Sequence, residues 1–113
     1  MGAVHWKSPE YLAGGRPSFA SDVYSFAMCI LEAVTGDIPW GSNMDSAVVK
    51  LLVKKGTIPT RPEMMNNKQW NLIELMTKQD PSERVKMPFV VDKLFEISEA
   101  EKSRVAASPS VQL

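Results

Sequence analysis

The chain has 113 residues, of which 44% are apolar and 23% charged, an ordinary balance for one globular domain. Its 13 basic and 13 acidic residues cancel, so no global charge would attract nucleic acid or an anionic membrane surface. The single cysteine excludes an intrachain disulfide framework and the cysteine-rich zinc signatures.

The first predicted helix lies in the stretch "SDVYSFAMCILEAVTGDIPW", residues 21–40, and is apolar on nearly every side. We expect Ser21 to cap its N-terminus, Asp22 to complement the positive end of the helix dipole, and Gly36 to end it. Cys29, between Met28 and Ile30, is interpreted as a packed thiol. A helix that is apolar all round belongs in the middle of a structure, so this helix is predicted to be the hub of the fold.

Three further helices are predicted, joined by loops rich in Pro, Gly and Asn and without a convincing strand, so the expected class is all-α. The helices cover residues 46–55, 68–79 and 88–102, and the helix at 68–79 is expected to begin after an Asn67 cap. Their expected buried residues are Val48, Leu51 and Leu52 in the first, Trp70, Leu72, Ile73, Leu75 and Met76 in the second, and Val90, Val91, Leu94, Phe95 and Ile97 in the third.

The end of the chain, residues 103–113, is small, polar and aperiodic, and we expect it to form a disordered tail after a folded region of residues 1–102. The N-terminus lacks the features of a signal peptide, and no apolar run approaches the roughly 20 residues of a membrane span. A cytoplasmic protein without a membrane span is therefore expected.

The order of four motifs resembles that of a known family. The stretches "GAVHWKSPE", "SDVYSFAMCILEAVTGDIPW", "RPEM" and "WNLIELMTKQDPSERVKM" follow one another as in the C-terminal half of the large lobe of a eukaryotic protein kinase. The pattern looks closest to the tyrosine-kinase-like group of serine/threonine kinases, and it extends from Gly2 to Leu94. One such motif would be weak, whereas four in order at family-like intervals are specific.

The resemblance implies a structural ion pair. "SPE" stands where the family has Ala-Pro-Glu at the end of the activation segment, and Glu10 is expected to form a buried pair with Arg84 of "DPSER". Such a pair would tie a loop to the distant turn between the last two helices. Without the motifs, the simpler interpretation is that Glu10 and Arg84 are two unrelated surface charges.

The resemblance also assigns roles around the substrate. Asp22 resembles the acid whose carboxylate accepts hydrogen bonds from backbone amides of the catalytic loop, a role suited to a group that only accepts. Gly2, Ala3 and Trp6 belong to the stretch that lies beside the substrate in relatives. The family usually has Thr at the position of Ala3, and alanine cannot make the bonds of that hydroxyl. Trp40 and Trp70 are interpreted as core anchors.

The motifs that carry phosphoryl transfer are missing from this sequence. It has no G-x-G-x-x-G loop, no Asp-Phe-Gly and no His-Arg-Asp motif, so no catalytic, cofactor-binding or metal residue is assigned. We expect the chain alone to bind no cofactor and to be inactive, and Mg-ATP to be the cofactor of a full-length parent. Met1 directly precedes the matched segment, which suggests a start within a longer reading frame or a shortened gene copy.

Two functions follow as expectations. The first is a fragment of a protein serine/threonine kinase, whose partners would be a protein substrate and the missing remainder of the kinase domain, with no role for nucleic acid. The second is a catalytically inactive, pseudokinase-like interaction module. An unrelated helical adaptor is a third and weaker interpretation.

Overall fold

A computed structural model describes the backbone of residues 4–106 and the side chains of residues 4–103. Within that range the chain is helical and has no strand, so the all-α prediction is confirmed. The α-helices are α1 (Pro9–Leu12), α2 (Phe19–Thr35), α3 (Ser46–Lys54), α4 (Asn67–Met76) and α5 (Met87–Ala106). Single 3₁₀ turns lie at Val4–Trp6 and Pro81–Glu83, and the sequence did not predict α1 or either turn.

Helix α2 begins earlier than its sequence predicted. Ser18 is its N-cap, and the Ser18 hydroxyl accepts a hydrogen bond from the Ser21 N–H at 3.0 Å. The Ser21 hydroxyl in turn accepts from the Ser18 N–H at 2.8 Å, which completes a capping box. The predicted cap, Ser21, is therefore the third helical residue. Gly36 ends the helix at φ 76°, in the left-handed region that glycine favours.

The core forms where α4 and α5 meet one side of α2. It consists of Val23, Tyr24, Ala27, Met28 and Leu31 of α2, Met65, Leu72, Ile73 and Met76 around α4, and Val90 of α5. The other side of α2 faces away from this core. Cys29 is exposed there, so its interpretation as a packed thiol was wrong. The helix is a hub on one side only.

Two of the three residues predicted to be buried in α3 are exposed, whereas the third, Leu52, is half-buried. Val49 and Val53 are buried, with 0% and 1% of their surface exposed, whereas Val48 and Leu51 are 44% and 52% exposed. The buried residues are four positions apart and therefore lie on the same side of the helix. Apolar residues on neighbouring stripes of a short helix leave the choice of inward face to tertiary packing.

Helix α4 is displaced by one residue at its start and is shorter than predicted. Asn66, not Asn67, is the N-cap, in a capping box with Gln69. The helix ends at Met76, three residues before the predicted end at Gln79, and the Thr77 hydroxyl donates to the Ile73 carbonyl at 2.7 Å. The backbone after the helix is not helical, and its carbonyls accept hydrogen bonds from Arg84.

Helix α5 buries a narrower stripe than predicted. Val90 is fully buried, but Val91 and Phe95 are 57% and 65% exposed. The helix continues to Ala106, four residues past its predicted end at Lys102, and the disordered tail stays a prediction. The rest of that tail, residues 107–113, lies outside the described residues. None of the described helices combines the length and apolar character that a bilayer-spanning segment requires.

Candidate functional site

The first helix places Glu10 by local capping. Ser8 is the N-cap of α1, with its hydroxyl accepting from the Tyr11 N–H at 3.3 Å, and Pro9 occupies the favoured first position. Directly after the helix, the Gly15 N–H donates to the Glu10 carbonyl at 2.9 Å. A Cβ at position 15 would lie 2.7 Å from that carbonyl oxygen, so only glycine fits. The loop thus folds back tightly over Glu10.

Arg84 and Glu10 form a bidentate ion pair across 74 residues of chain. The two terminal guanidinium nitrogens each lie 2.7 Å from one Glu10 carboxylate oxygen. The other N–H groups donate to backbone carbonyls: Nη1 to Ala20 at 2.9 Å, Nε to Lys78 at 2.8 Å and Nη2 to Gln79 at 3.4 Å. All five donors of a guanidinium therefore have an acceptor. One side chain ties α1, the start of α2 and the loop after α4 together.

The ion pair is largely buried, and this affects the pKa of Glu10. The Arg84 side chain is 0% exposed and that of Glu10 26%, and the guanidinium carbon lies 5.0 Å from the centre of the Tyr24 ring. Burial alone would raise the pKa of Glu10, but the hydrogen bonds and charge of Arg84, with bonds from the backbone of Glu10 and from Ser8, hold that pKa below its ordinary value. The carboxylate is therefore stabilised in its charged form.

The Tyr24 ring lies against the guanidinium of the ion pair. Burial raises the pKa of its phenol to about 12, with the Arg84 charge acting in the opposite direction and the Glu10 charge adding to the rise. The ring remains neutral at physiological pH and presents an aromatic face to the guanidinium, a cation–π arrangement.

The 3₁₀ turn Val4–Trp6 is anchored at two further points. The Trp6 indole N–H donates to a Glu32 carboxylate oxygen of α2 at 3.0 Å. His5 Nε2 lies 2.9 Å from the Met44 carbonyl, an acceptor only, so the imidazole donates to the loop before α3. With the Glu10 pair, three side-chain contacts hold residues 4–12 against the body of the protein.

Not all predicted site residues can be placed. Gly2 and Ala3 lie outside the described residues, whereas Trp6 is half-buried in the anchored turn. The structure brings Glu10 and Arg84 together but leaves Asp22 apart from them, exposed in the first turn of α2. Among the described residues its carboxylate has no hydrogen-bond or ion-pair partner, and its predicted role toward a catalytic loop stays a prediction.

Several contacts of the site could not be predicted from the sequence. Trp6 and Glu32 are 26 residues apart, and nothing in either neighbourhood marks them as partners. The same holds for His5 and Met44. By contrast, the sequence Ser-Pro-Glu at residues 8–10 does carry a signal for a helix start, a cap followed by Pro and an acid, which would have predicted α1.

The described residues do not fit a Mg-ATP site. No three histidine, cysteine, aspartate or glutamate residues among them converge as metal ligands, and the sequence has no glycine-rich phosphate loop. The arrangement can position a polypeptide segment.

Comparison with known proteins agrees with this architecture. Residues 1–94 match the family model of the protein tyrosine and serine/threonine kinase domain. A probable serine/threonine-protein kinase of Dictyostelium discoideum is 33% identical over 86% of this chain. Mitogen-activated protein kinase kinase kinase A of the same organism is 28% identical over 81% of it, and the serine/threonine-protein kinase STY17 of Arabidopsis thaliana 27% over 82%.

This chain belongs to the protein kinase family, and it is a partial kinase domain. It spans only 11%, 10% and 16% of the length of those three relatives, respectively. The sequence-based assignment to the family is confirmed.

Proposed function

We propose that this chain is the C-terminal part of the large lobe of a protein serine/threonine kinase, whose complete domain transfers the γ-phosphoryl group of Mg-ATP to protein hydroxyls. The observation that carries the proposal is the bidentate contact between Glu10 and Arg84, which joins positions 74 residues apart in the first and the last of the four motifs of the resemblance. The relatives support the serine/threonine class through their names.

In this account the chain's own residues position a polypeptide. The Trp6–Glu32 and His5–Met44 hydrogen bonds and the Glu10–Arg84 pair fix the segment that the resemblance places beside the substrate. A segment held at three points presents its backbone in a defined position, and such preorganisation is how a substrate platform contributes to rate. Nucleotide binding and proton transfer would come from residues that this chain does not contain.

The exposed side of α2 supports the second expected partner, the remainder of the kinase domain. Asp22, Cys29 and Ala33 are exposed and lie seven and four residues apart, so they share one stripe of the helix. The half-buried Phe26 and Ile30 border the stripe. An apolar stripe with one acid at its N-terminal end suits a covering element that supplies backbone N–H groups to Asp22.

The size and activity of the native protein test the proposal together. An antibody raised against "KQDPSERVKM", residues 78–87, would be used to blot and to precipitate the protein from its source cells. We expect a band several times larger than 12.6 kDa and, in the precipitate, transfer of labelled phosphate from ATP to serine or threonine of a protein substrate. A larger band without transfer would contradict the kinase activity. Fractionation of the same cells would test the predicted cytoplasmic location.

A second candidate is the catalytically inactive interaction module. The observation that favours it is the number of large apolar side chains on the surface, including Phe19 at 91% and Met64 at 63% exposure. This candidate predicts a native band near 12.6 kDa and a chain that unfolds cooperatively on its own. A noncooperative melt with strong binding of a hydrophobic dye would contradict it, because a half-lobe with uncovered core surface behaves that way.

A further inference from the structure

The turn after α2 contains the only non-glycine residue at positive φ among residues 4–106. The Gly41 N–H donates to the Ile38 carbonyl at 2.9 Å, and Pro39 precedes Trp40 at φ 74°. Proline in the second position and a positive φ in the third define a type II turn, whose third position ordinarily takes glycine or asparagine. A tryptophan here is strained, and strain of this kind is concentrated at binding sites.

The strained residue lines a groove of about 470 Å³ between the end of α2 and α3. Its lining is mostly apolar and includes Leu31, Ile38, Met44 and Leu52 together with the half-buried Trp40. Trp40 is half-buried and lines this groove, whereas its sequence-based interpretation was that of a core anchor. The Glu10–Arg84 pair lies outside this groove, and the platform segment meets it only through the Met44 carbonyl that accepts from His5.

One charged side chain lines the groove, and it is negative. Asp37 is exposed, and its Oδ1 accepts the Ile38 N–H at 2.7 Å, which fixes the orientation of the carboxylate. Among the described residues no partner is bonded to its other oxygen, and no lysine or arginine lines the groove to neutralise it. A groove that combines one carboxylate, a tryptophan and an apolar wall is complementary to a cation on a long aliphatic stem.

We propose that this groove binds an arginine side chain of a partner protein. The aliphatic stem packs on the apolar wall, the planar guanidinium stacks on the Trp40 indole, and its N–H groups donate to the Asp37 carboxylate. Arginine is favoured over lysine because only the guanidinium is both planar and forked. The site consists of residues of this chain alone, so it does not depend on the proposed kinase activity.

The test uses the isotope-labelled 113-residue chain and three small probes: the N-acetyl methylamides of arginine, citrulline and norleucine. Citrulline keeps the shape of arginine without its charge, and norleucine keeps only an aliphatic stem. The readout is the indole N–H signal of Trp40 in NMR spectra, with those of Trp6 and Trp70, which do not line the groove, as internal references. We expect the arginine probe to shift the Trp40 signal with about fivefold tighter binding than the citrulline probe.

Two variants separate the contributions. Asp37→Asn keeps an oxygen that accepts the Ile38 N–H and removes only the charge, so it should abolish the preference for arginine over citrulline. Trp40→Gly suits the positive φ and removes the ring, so the arginine probe should no longer shift the Gly41 amide. Asp92→Asn, an exposed change on α5, is the matched control and should leave the preference unchanged.

Three results would overturn the proposal. They are an unmoved Trp40 signal with the arginine probe, equal or tighter binding of norleucine, and an arginine preference that survives in Asp37→Asn. The spectrum of each unliganded variant shows whether it is folded, so a lost response in a folded variant is attributable to the groove.

Discussion

The two sides of α2 differ sharply although their sequences are similarly apolar. On one side Val23, Ala27 and Met28 are at most 2% exposed and pack against α4 and α5. On the other side Cys29 and Ala33 are exposed, in the same turns of the same helix. The first side contributes to the stability of this chain, whereas the second is a surface with no partner among the described residues.

The covered side of α2 is stabilised by other residues of this chain, whereas the exposed side has no covering element among the described residues. The covered side continues into the Tyr24 ring and the Glu10–Arg84 pair, where every guanidinium donor has an acceptor. The exposed side ends at Asp22, an acid without a partner among the described residues.

The largest effect is expected from Arg84→Ala on the covered side. It would leave the partly buried Glu10 carboxylate and the carbonyls of Ala20 and Lys78 without their donor, and breaking such a pair costs about 3–5 kcal/mol. The free energy of unfolding, measured by urea denaturation, gives the loss. Lys93→Ala is the control, because its ion pair with Glu96 is exposed and should contribute less than about 0.5 kcal/mol.

A smaller effect is expected at alkaline pH through Tyr24. Because its folded-state pKa is about 12, against an ordinary value of 10.0, only the unfolded chain loses this proton as the pH rises past 10. Stability should therefore fall between pH 10 and 12 by about 2–3 kcal/mol more in the native chain than in Tyr24→Phe. Parallel pH profiles of the two proteins would contradict the burial of this phenol.

Trp6→Phe is expected to cost about 1 kcal/mol more than Trp70→Phe. Both changes shrink a half-buried ring, but only the first removes an indole N–H that donates to a carboxylate, that of Glu32. Urea denaturation of the two variants measures the difference. Equal losses would mean that the hydrogen bond contributes nothing and that the 3₁₀ turn is held by packing alone.

The lowered pKa of Glu10 predicts a modest acid dependence. A carboxyl whose folded pKa is depressed contributes stability above its ordinary value of 4.5 and loses it as the pH falls through the folded value. The loss from Glu10 should be small, because the side chain is 26% exposed and solvent screens it. Glu10→Gln should show a flatter acid limb than the native chain.

The smallest effect is expected from Ala33→Glu on the exposed side of α2. In this chain the free energy of unfolding should change by less than about 0.5 kcal/mol, as for other exposed substitutions. The same substitution at Ala27, which is 0% exposed, should prevent folding because it buries an unpaired charge. In a longer native protein, a large destabilisation by Ala33→Glu would show that the exposed side is covered there.

The sequence predicted those features that depend on local chemistry or on motifs. The apolar density of α2, its end at Gly36 and the pairing of Glu10 with Arg84 were all accessible in this way. The buried face of a helix could not be predicted in this way. Apolar residues such as Val48 and Leu51 in α3, and Val91 and Phe95 in α5, are exposed. The spacing of apolar residues along a helix does not indicate which of two apolar stripes is buried, because the neighbouring element determines which one is covered.

Long-range polar contacts were beyond sequence reasoning for a different reason. The Trp6–Glu32 bond depends on where a 3₁₀ turn meets α2, and the sequence of either element is compatible with many partners. The early end of α4 depends on Arg84 as well, because the Arg84 guanidinium donates hydrogen bonds to the carbonyls of Lys78 and Gln79. Such contacts follow from the assembled fold.

The most direct test is a double-mutant cycle on Glu10 and Arg84. The free energies of unfolding of the native chain, Glu10→Ala, Arg84→Ala and the double variant yield the coupling energy of the pair. We expect a coupling of about 2–3 kcal/mol, since the contact is bidentate and largely buried. A coupling near zero would mean that the two side chains do not hold the segment to the lobe, and it would contradict the proposed role of this chain as a kinase platform.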